Sequence, residues 1–533
     1  MSMRNVSTLI ILLCLVTGGA VQAQRGYTRA QYNMLDEART LMEAGQWSDA
    51  YRIYKRLAGV DTSFAEPWYG LGMCEVNMPD KRQLAAGRFE IAARHGSVEG
   101  LFQLALARHR QERFDEEIAL LEQYRSKAGR EMANAEVERV AAIARQAKAL
   151  TSDPVRLRIR NLGANVNSAQ HDYCPLVTAD GSTLHFTSRR PGSLGGYRDA
   201  SGQYYEDIYT SQRTDDRWSR AMNAGAPVSS TMQDATVGLS PDGNEMIIYR
   251  ASDDKPDGDL FITRRAQGAW SEPERMTERI NSKAHEPSAT ISPDGTEIYF
   301  SSTREGGFGG RDLYRIRRLP DGQWSLPLNL GPTINTAFDE DAPFLHSDGT
   351  MLFFSSNGHN TMGGFDIFKS ALLDADMNVW GTPENLGYPL NTVNDDIYFN
   401  LSADGITGYF SSERAGGLGG QDIYEVVFPA TQVDYLMVRG VVTNANDEPL
   451  KARIVLTDKK TEEVVGIFNS NPRTGRYIMT VRPDREYHLR VTSEGQAPWE
   501  HDLFAADADM TGELLLDVPM ASTEKTAVTV PQP

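Results

Sequence analysis

The sequence predicts a multidomain chain: an all-α run of helical repeats, then a five-bladed β-propeller, then a small β-sandwich. Three observations predict it. Apolar residues recur at helical spacing from Tyr32 to Leu150, Asp-Gly recurs five times between residues 180 and 405, and short alternating runs fill the stretch from Asp434 to about Met520. With 533 residues and 40% apolar content the chain can bury several cores, and a prior of about 150 residues per domain allows roughly three.

The first 23 residues read as a secretory signal: Arg4 at the charged end, an apolar stretch from Leu9 to Val16, then Val21-Gln22-Ala23 before Gln24. Cys14 follows Leu13 where a lipoprotein signal wants a small residue, so lipidation is not expected. No later stretch approaches the roughly 18 apolar residues of a spanning helix. The formal charge is −18, or −19 without Arg4, which disfavours phosphate backbones and excludes nucleic acid as a natural partner. Residues 24–152 hold 19 basic and 18 acidic side chains, so the remainder carries about −20. Cys74 and Cys174 fall in different predicted domains and read as two buried thiols, not a disulfide.

Residues 24–152 form the first folded part. Leu35, Ala38, Leu41 and Met42 mark one helix face; "AGQW" turns the chain, and Ala50, Ile53, Tyr54 and Leu57 mark the next. A second pair runs from Pro67-Trp68 through Leu71-Gly72 and returns with Leu84, Phe89 and Ala93. A third uses Leu101, Leu104 and Ala105, then Ile118, Leu121 and Tyr124, and residues 131–149 predict a capping helix. The spacing, and the small residues where helices approach, resemble the tetratricopeptide repeat. That resemblance implies a concave face for a peptide or protein partner.

Residues 153–430 form the second part. The Asp-Gly pairs begin at 180, 242, 294, 348 and 404, and eight residues before each stands an acid: Asp172, Asp234, Glu286, Glu340 and Asp396. Thirteen before stands Asn167, Ser229, Asn281, Asn335 or Asn391, and six after stands Phe186, Ile248, Phe300, Phe354 or Phe410. Glycine-rich loops lead to Asp207-Ile-Tyr, Asp259-Leu-Phe, Asp312-Leu-Tyr, Asp366-Ile-Phe and Asp422-Ile-Tyr, and four units then carry Trp218, Trp270, Trp324 or Trp380. Each unit supplies four short strands, the make-up of a propeller blade. In "SPDG" the glycine suits a left-handed position closing a hairpin. The fifth unit lacks the tryptophan strand, but "VRLRIRNLG" at 155–163 matches "SLPLNLG" at 325–331, so the early strand is expected to complete the last blade. These units resemble the PD40 or WD40-like propeller repeat.

Functional readings of these motifs compete with structural ones. "GGFGG" is followed by a strand, whereas phosphate cradles of that kind need a helix N-terminus. The five acids could form a cation or substrate ring, but an acid repeated in every unit reads more simply as a structural hydrogen-bonding anchor. A propeller glycosidase needs two carboxylates of unequal role, and repetition makes these equivalent. There is no G-x-S-x-G, and His285-Glu286 is followed by Pro287, which spoils a zinc helix. The expectation is no catalytic, cofactor or metal site.

Residues 431–520 predict a sandwich from "YLMVRGVVTN", "ARIVLTD", "VVGIFNS", "GRYIMTV", "EYHLRVTS" and "ELLLDVP". The stretch from "VRGVVTNANDEPLKARIVLTD" to "REYHLRVTSEG" resembles the carboxypeptidase regulatory-like domain, which implies no catalytic residues. Residues 521–533 read as a disordered tail. The whole order resembles Bacteroidetes envelope proteins of the PorE-like, type IX secretion-associated family. In that family an OmpA-like peptidoglycan-binding domain follows; the sequence stops before it, so wall binding is not expected. The resemblance implies a non-catalytic scaffold, periplasmic or peripheral to the outer membrane, whose partners are envelope or secretion proteins; the alternative is a glycan-binding or glycan-cleaving propeller.

Overall fold

The computed structural model describes residues 27–522 apart from 79, 129–133, 179–180, 200, 215–216, 241–242, 253–256, 267, 294, 348, 403–404, 430–435, 463, 473, 482–484 and 505–512. The expected signal, nearly all of the expected tail and the aspartates of the five Asp-Gly pairs lie outside the described residues. The chain divides into two compact units, Met1–Ala149 and Leu150–Pro533.

The first unit is helical. Among its described residues seven α-helices, Arg29–Glu43, Trp47–Val60, Ala65–Val76, Ala85–Arg94, Val98–Arg110, Phe114–Ala128 and Asn134–Ser152, follow one another with short turns. A capping box starts the first: Thr28 Oγ1 accepts the Gln31 amide, and Gln31 Oε1 accepts the Thr28 amide at 2.7 Å. Small residues set how closely neighbours pack. A Cβ on Gly70 would lie 2.5 Å from the Tyr54 ring, and one on Gly72 2.5 Å from the Phe89 ring. The last helix ends at Ser152, three residues beyond the expected 149, because no Gly or Pro stops it earlier. Among the described residues no helix is long and apolar enough to cross a membrane.

The second unit is β-rich. Five antiparallel sheets each begin with three long strands: Asp172–Val177, Thr183–Ser188 and Asp207–Thr214; Asp234–Leu239, Glu245–Arg250 and Asp259–Ala266; Ala289–Ile291, Glu297–Ser302 and Asp312–Arg317; Glu340–Leu345, Met351–Ser356 and Asp366–Asp374; and Asp396–Leu401, Thr407–Ser412 and Asp422–Val427. Two-residue strands such as Val379–Trp380 complete the first four. Trp324 is the exception, held by an isolated bridge to Arg318. The fifth sheet is completed by Arg158–Asn161, antiparallel to Asp422–Val427 with Arg158 opposite Val427. First strands pack against first strands from each sheet to the next, and that of the fifth packs against that of the first.

The turn chemistry follows the sequence. Gly181, Gly243, Gly295, Gly349 and Gly405 all have φ between 65° and 72°. The glycine-rich loops owe their composition to close approach. A Cβ on Gly309 would stand 2.2 Å from the Phe338 carbonyl oxygen, and one on Gly419 2.0 Å from that of Gln170. Through these loops the third, fourth and fifth sheets reach the next: Gly310 N donates to Phe338 O at 2.9 Å, Gly364 N to Asn394 O at 3.2 Å, and Gly420 N, in the fifth sheet, to Gln170 O in the first unit of the repeat at 3.0 Å.

After residue 435 two further sheets share a core that includes Val438, Val442, Ile454, Leu456, Tyr477, Leu489 and Val491. One holds Leu436–Thr443, Arg476–Val481, Glu513–Leu515 and Val518–Pro519; the other holds Arg453–Asp458, Val464–Asn469, Glu486–Thr492 and Trp499–Phe504. The strand Trp499–Phe504 was not foreseen, since Glu500, His501 and Asp502 are exposed and give it no apolar alternation. Cys74 and Cys174 are buried free thiols.

Candidate functional site

The five repeat-equivalent acids lie at or just before the first strands of their sheets, buried, each gripping the turn that precedes it. Asp172 accepts the amide and hydroxyl of Ser168, Asp234 those of Ser230, Glu286 those of Ser282, Glu340 those of Thr336 and Asp396 those of Thr392, all within 2.5 to 3.1 Å. An arginine pairs with four of them: Arg190 with Asp172, Arg250 with Asp234, Arg304 with Glu286 at 3.3 Å and Arg414 with Asp396 at 2.7 Å. The same arginines donate to the carbonyls of Val166, Val228, Ile280 and Leu390 and lie over neighbouring aromatic rings. The acids are not brought together: among the described residues none bonds to another.

The fourth sheet departs from the pattern. Gly358 stands where the arginine would, and His359 takes over its backbone bond, its Nε2 lying 2.8 Å from Ile334 O, and its packing on Phe354 and Phe368. Glu340 accepts from Ser356 Oγ at 2.7 Å, as Glu286 does from Ser302 Oγ, and burial raises its carboxyl above the usual range. Burial likewise pushes the His359 imidazole down.

The residues at the Asn position fasten neighbouring sheets. Asn281, Asn335 and Asn391 accept the amides of Leu260, Leu313 and Ile367 in the preceding sheet at 2.7 to 2.8 Å and donate back to the same residues' carbonyls. Ser229 accepts the Ile208 amide at 3.2 Å. Asn167 does the same to Ile423 of the fifth sheet, at 2.8 Å. The aspartates that open the third strands hold the glycine-rich loops: Asp312 accepts the amides of Phe308 and Gly309, and Asp422 those of Leu418 and Gly419.

A second cluster, which sequence reasoning missed, gathers where the first strands meet. Asp341, buried, accepts from Ser288 Oγ, Ser301 Oγ at 2.8 Å, the Ala342 amide and Arg311. Burial pushes its carboxyl up, but the Arg311 guanidinium and the two serines outweigh that and hold it below the usual range. Arg311 also faces Asp339 at 3.5 Å and the Phe365 ring. Tyr173 and Tyr398 stack at 5.8 Å, and burial drives both phenols well up, so they stay neutral. Glu206, beside Tyr173, lies 3.5 Å from Arg189. Cys174, Ala342 and Tyr398 all take left-handed φ of 50° to 61°, each beside a register shift in its strand. The available signal was a break in the repeat: after the repeated acid come Tyr173, Ala235, Pro287, Asp341 and Ile397, so the charge at 341 is unique to one unit.

Chemically the cluster is an ion pair flanked by neutral phenols, with Asp341 accepting from Ser288, Ser301, Ala342 and Arg311. Among the described residues no group of His, Cys, Asp and Glu is arranged to hold a metal ion.

No protein-family model and no curated protein matches the chain. Solved structures similar to parts of it include a putative TolB from Agrobacterium tumefaciens, 16% identical over 61% of this chain and 97% of that one, TM-score 0.30. The Yersinia enterocolitica type III secretion chaperone SycD, in complex with a peptide of the translocator YopD, is 17% identical over 23% of this chain and 97% of that one, TM-score 0.21. A glycoside hydrolase is 10% identical over 54% of this chain and 97% of that one, TM-score 0.38. At these values none of the three carries a function over to this chain.

Proposed function

We propose that the chain is a non-catalytic protein-interaction scaffold of a bacterial envelope, exported to the periplasm and peripheral to the outer membrane, with a role in type IX secretion or envelope assembly. In this reading residues 24–152 are tetratricopeptide-like repeats that receive a protein partner, 153–430 a closed five-bladed PD40-type propeller, and 431–520 a carboxypeptidase regulatory-like sandwich. The observation that carries it is where the polar groups go. The repeated Asn, Ser and Thr groups bond to neighbouring turns and strands, and so do the acids, four of them with an arginine as well. A motif used in this way serves rigidity, which suits a platform that holds other proteins.

The test is photo-crosslinking in the native envelope, with the full chain carrying reactive groups at exposed helical positions and on the sheets. The reading expects discrete crosslinked envelope proteins, reduced when the helical positions are blocked. It is overturned if no protein is captured and the purified chain instead releases sugars from envelope glycans in a manner that Asp341→Asn abolishes.

A further inference from the structure

The seams between successive sheets share one packing device. A ring from the second strand of one sheet meets the tryptophan that follows the third strand of the next: Tyr409 with Trp218 at 6.2 Å, His185 with Trp270 at 5.8 Å and Tyr299 with Trp380 at 6.0 Å. Between the fourth and fifth sheets, where there is no tryptophan, Phe353 meets Phe399 at 5.0 Å and Phe399 meets Phe428. The seam between the second and third sheets differs. Its second-strand position holds Ile247, buried, and Trp324 opposite has no ring partner among the described residues and stays half-buried. A cleft of about 240 Å³ opens at this seam, with Ile262, Met276, Ile291 and Ile298 beneath and Trp324 at its side.

We infer that this cleft is a docking site for an aromatic side chain of a partner protein, flanked in the partner by an acidic residue. The aromatic part follows from the repeat: in the other four seams the second-strand position carries a ring, whereas here it carries the smaller isoleucine, and Trp324, which lines the cleft, is left without the ring partner that Trp218, Trp270 and Trp380 each have. The size agrees, since 240 Å³ lies below the roughly 300 to 1,000 Å³ of sites for whole small molecules and admits one side chain. The acidic part follows from charge. Arg264 on the rim is paired with Glu245 at 2.8 Å and Glu274 at 3.2 Å, and Arg275 with Asp259 at 2.6 Å. Arg318 lies over the Trp324 ring at 5.4 Å, exposed, with no ion pair or side-chain hydrogen bond among the described residues, so it is the cation left to meet a carboxylate.

The inference is independent of the scaffold reading, because it is tested on the purified full chain with defined probes. Binding of acetyl-Asp-Phe-amide, acetyl-Asp-Ala-amide and acetyl-Lys-Phe-amide is followed by saturation-transfer NMR. Asp-Phe is expected to bind with a millimolar Kd, and Asp-Ala and Lys-Phe at least about tenfold more weakly. Trp324→Ala, which removes the ring lining the cleft, should abolish binding; Arg318→Gln should erase the preference for Asp over Lys. If Trp324→Ala does not fold, Trp324→Leu replaces it, with the same loss expected. No binding of Asp-Phe at about 10 mM, equal binding of Asp-Ala, or binding unchanged in these variants overturns the inference.

Discussion

His185 is a buried imidazole with neither ring nitrogen bonded, set edge-on to Trp270, and burial pushes its pKa down to about 4, with Arg265 nearby adding to the effect. Its unfolded value is near 6.5. A base whose folded pKa is depressed binds its proton more readily when unfolded, so stability is full above about pH 6.5 and falls as pH drops towards 4. The loss reaches about 2 kcal/mol by pH 5. His185→Phe should remove most of that difference, as urea titrations of both proteins at pH 7 and pH 5 would show. Glu340 offers a contrast within the repeat. Its carboxyl is already held high with no cation beside it, so Glu340→Gln should change stability by less than about 1 kcal/mol. Asp396→Asn strips the partner from Arg414 and should cost about 3 kcal/mol. Equal costs in chemical denaturation would contradict this account of the fourth sheet.

At the scale of elements, the glycine-rich loops act as clasps, and their glycines are fixed by what they touch. Gly309→Ala and Gly419→Ala would each drive a methyl into a backbone carbonyl, which cannot swing aside as a side chain can. Each should cost roughly 2 kcal/mol or more in thermal unfolding. Gly87→Ala is the converse. It sits inside the helix Ala85–Arg94 with nothing within 4 Å of an added Cβ, and should raise stability by up to about 1 kcal/mol. The repeat made most of these elements legible in advance. The acids, the Asn positions and the strand beginning at Arg158 could be read because five copies or a local match exposed them. Their partners could not, since a recurrent Asn does not say that it bonds to the sheet before it. The cluster around Asp341 was hidden for the opposite reason: Arg311, Tyr398 and Asp341 occur once each at their repeat positions, so their only signal is the break they make in the aligned copies, which does not say that the three come together. Trp499–Phe504 escaped because both its faces carry polar residues.

For the whole molecule, the contacts between residues 155–171 and the fifth sheet are the test of closure. Deleting residues 155–161 would leave the Asp422–Val427 edge unpaired and remove Leu157 and Ile159 from the core around Phe399 and Phe410. The expected loss is several kcal/mol, with the whole β-rich region melting earlier. Asn167→Ala should cost about as much as Asn391→Ala, roughly 1 to 3 kcal/mol, because the seam between the fifth and first sheets is fastened like the others. A much smaller effect at Asn167 in calorimetry would mean that this seam opens on its own.

The pairing of Arg160 with Glu425 spans 265 residues of chain, so its two halves become available at very different moments. Whether the polypeptide emerges from a ribosome or from an export channel, the strand beginning at Arg158 appears first and must wait, bare-edged, while all the intervening sheets form. Local hairpins can assemble in sequence, but the final fastening bears the closure entropy of the longest loop in the unit and comes last. Until then a chain whose fifth sheet has formed but not closed presents two complementary edges, Arg158–Asn161 at one end of the array and Asp422–Val427 at the other. Two such chains could trade them, the late edge of one accepting the early strand of the other. Closure of that seam is thus what makes each molecule self-contained, and unclosed copies carry a built-in tendency to link into strings.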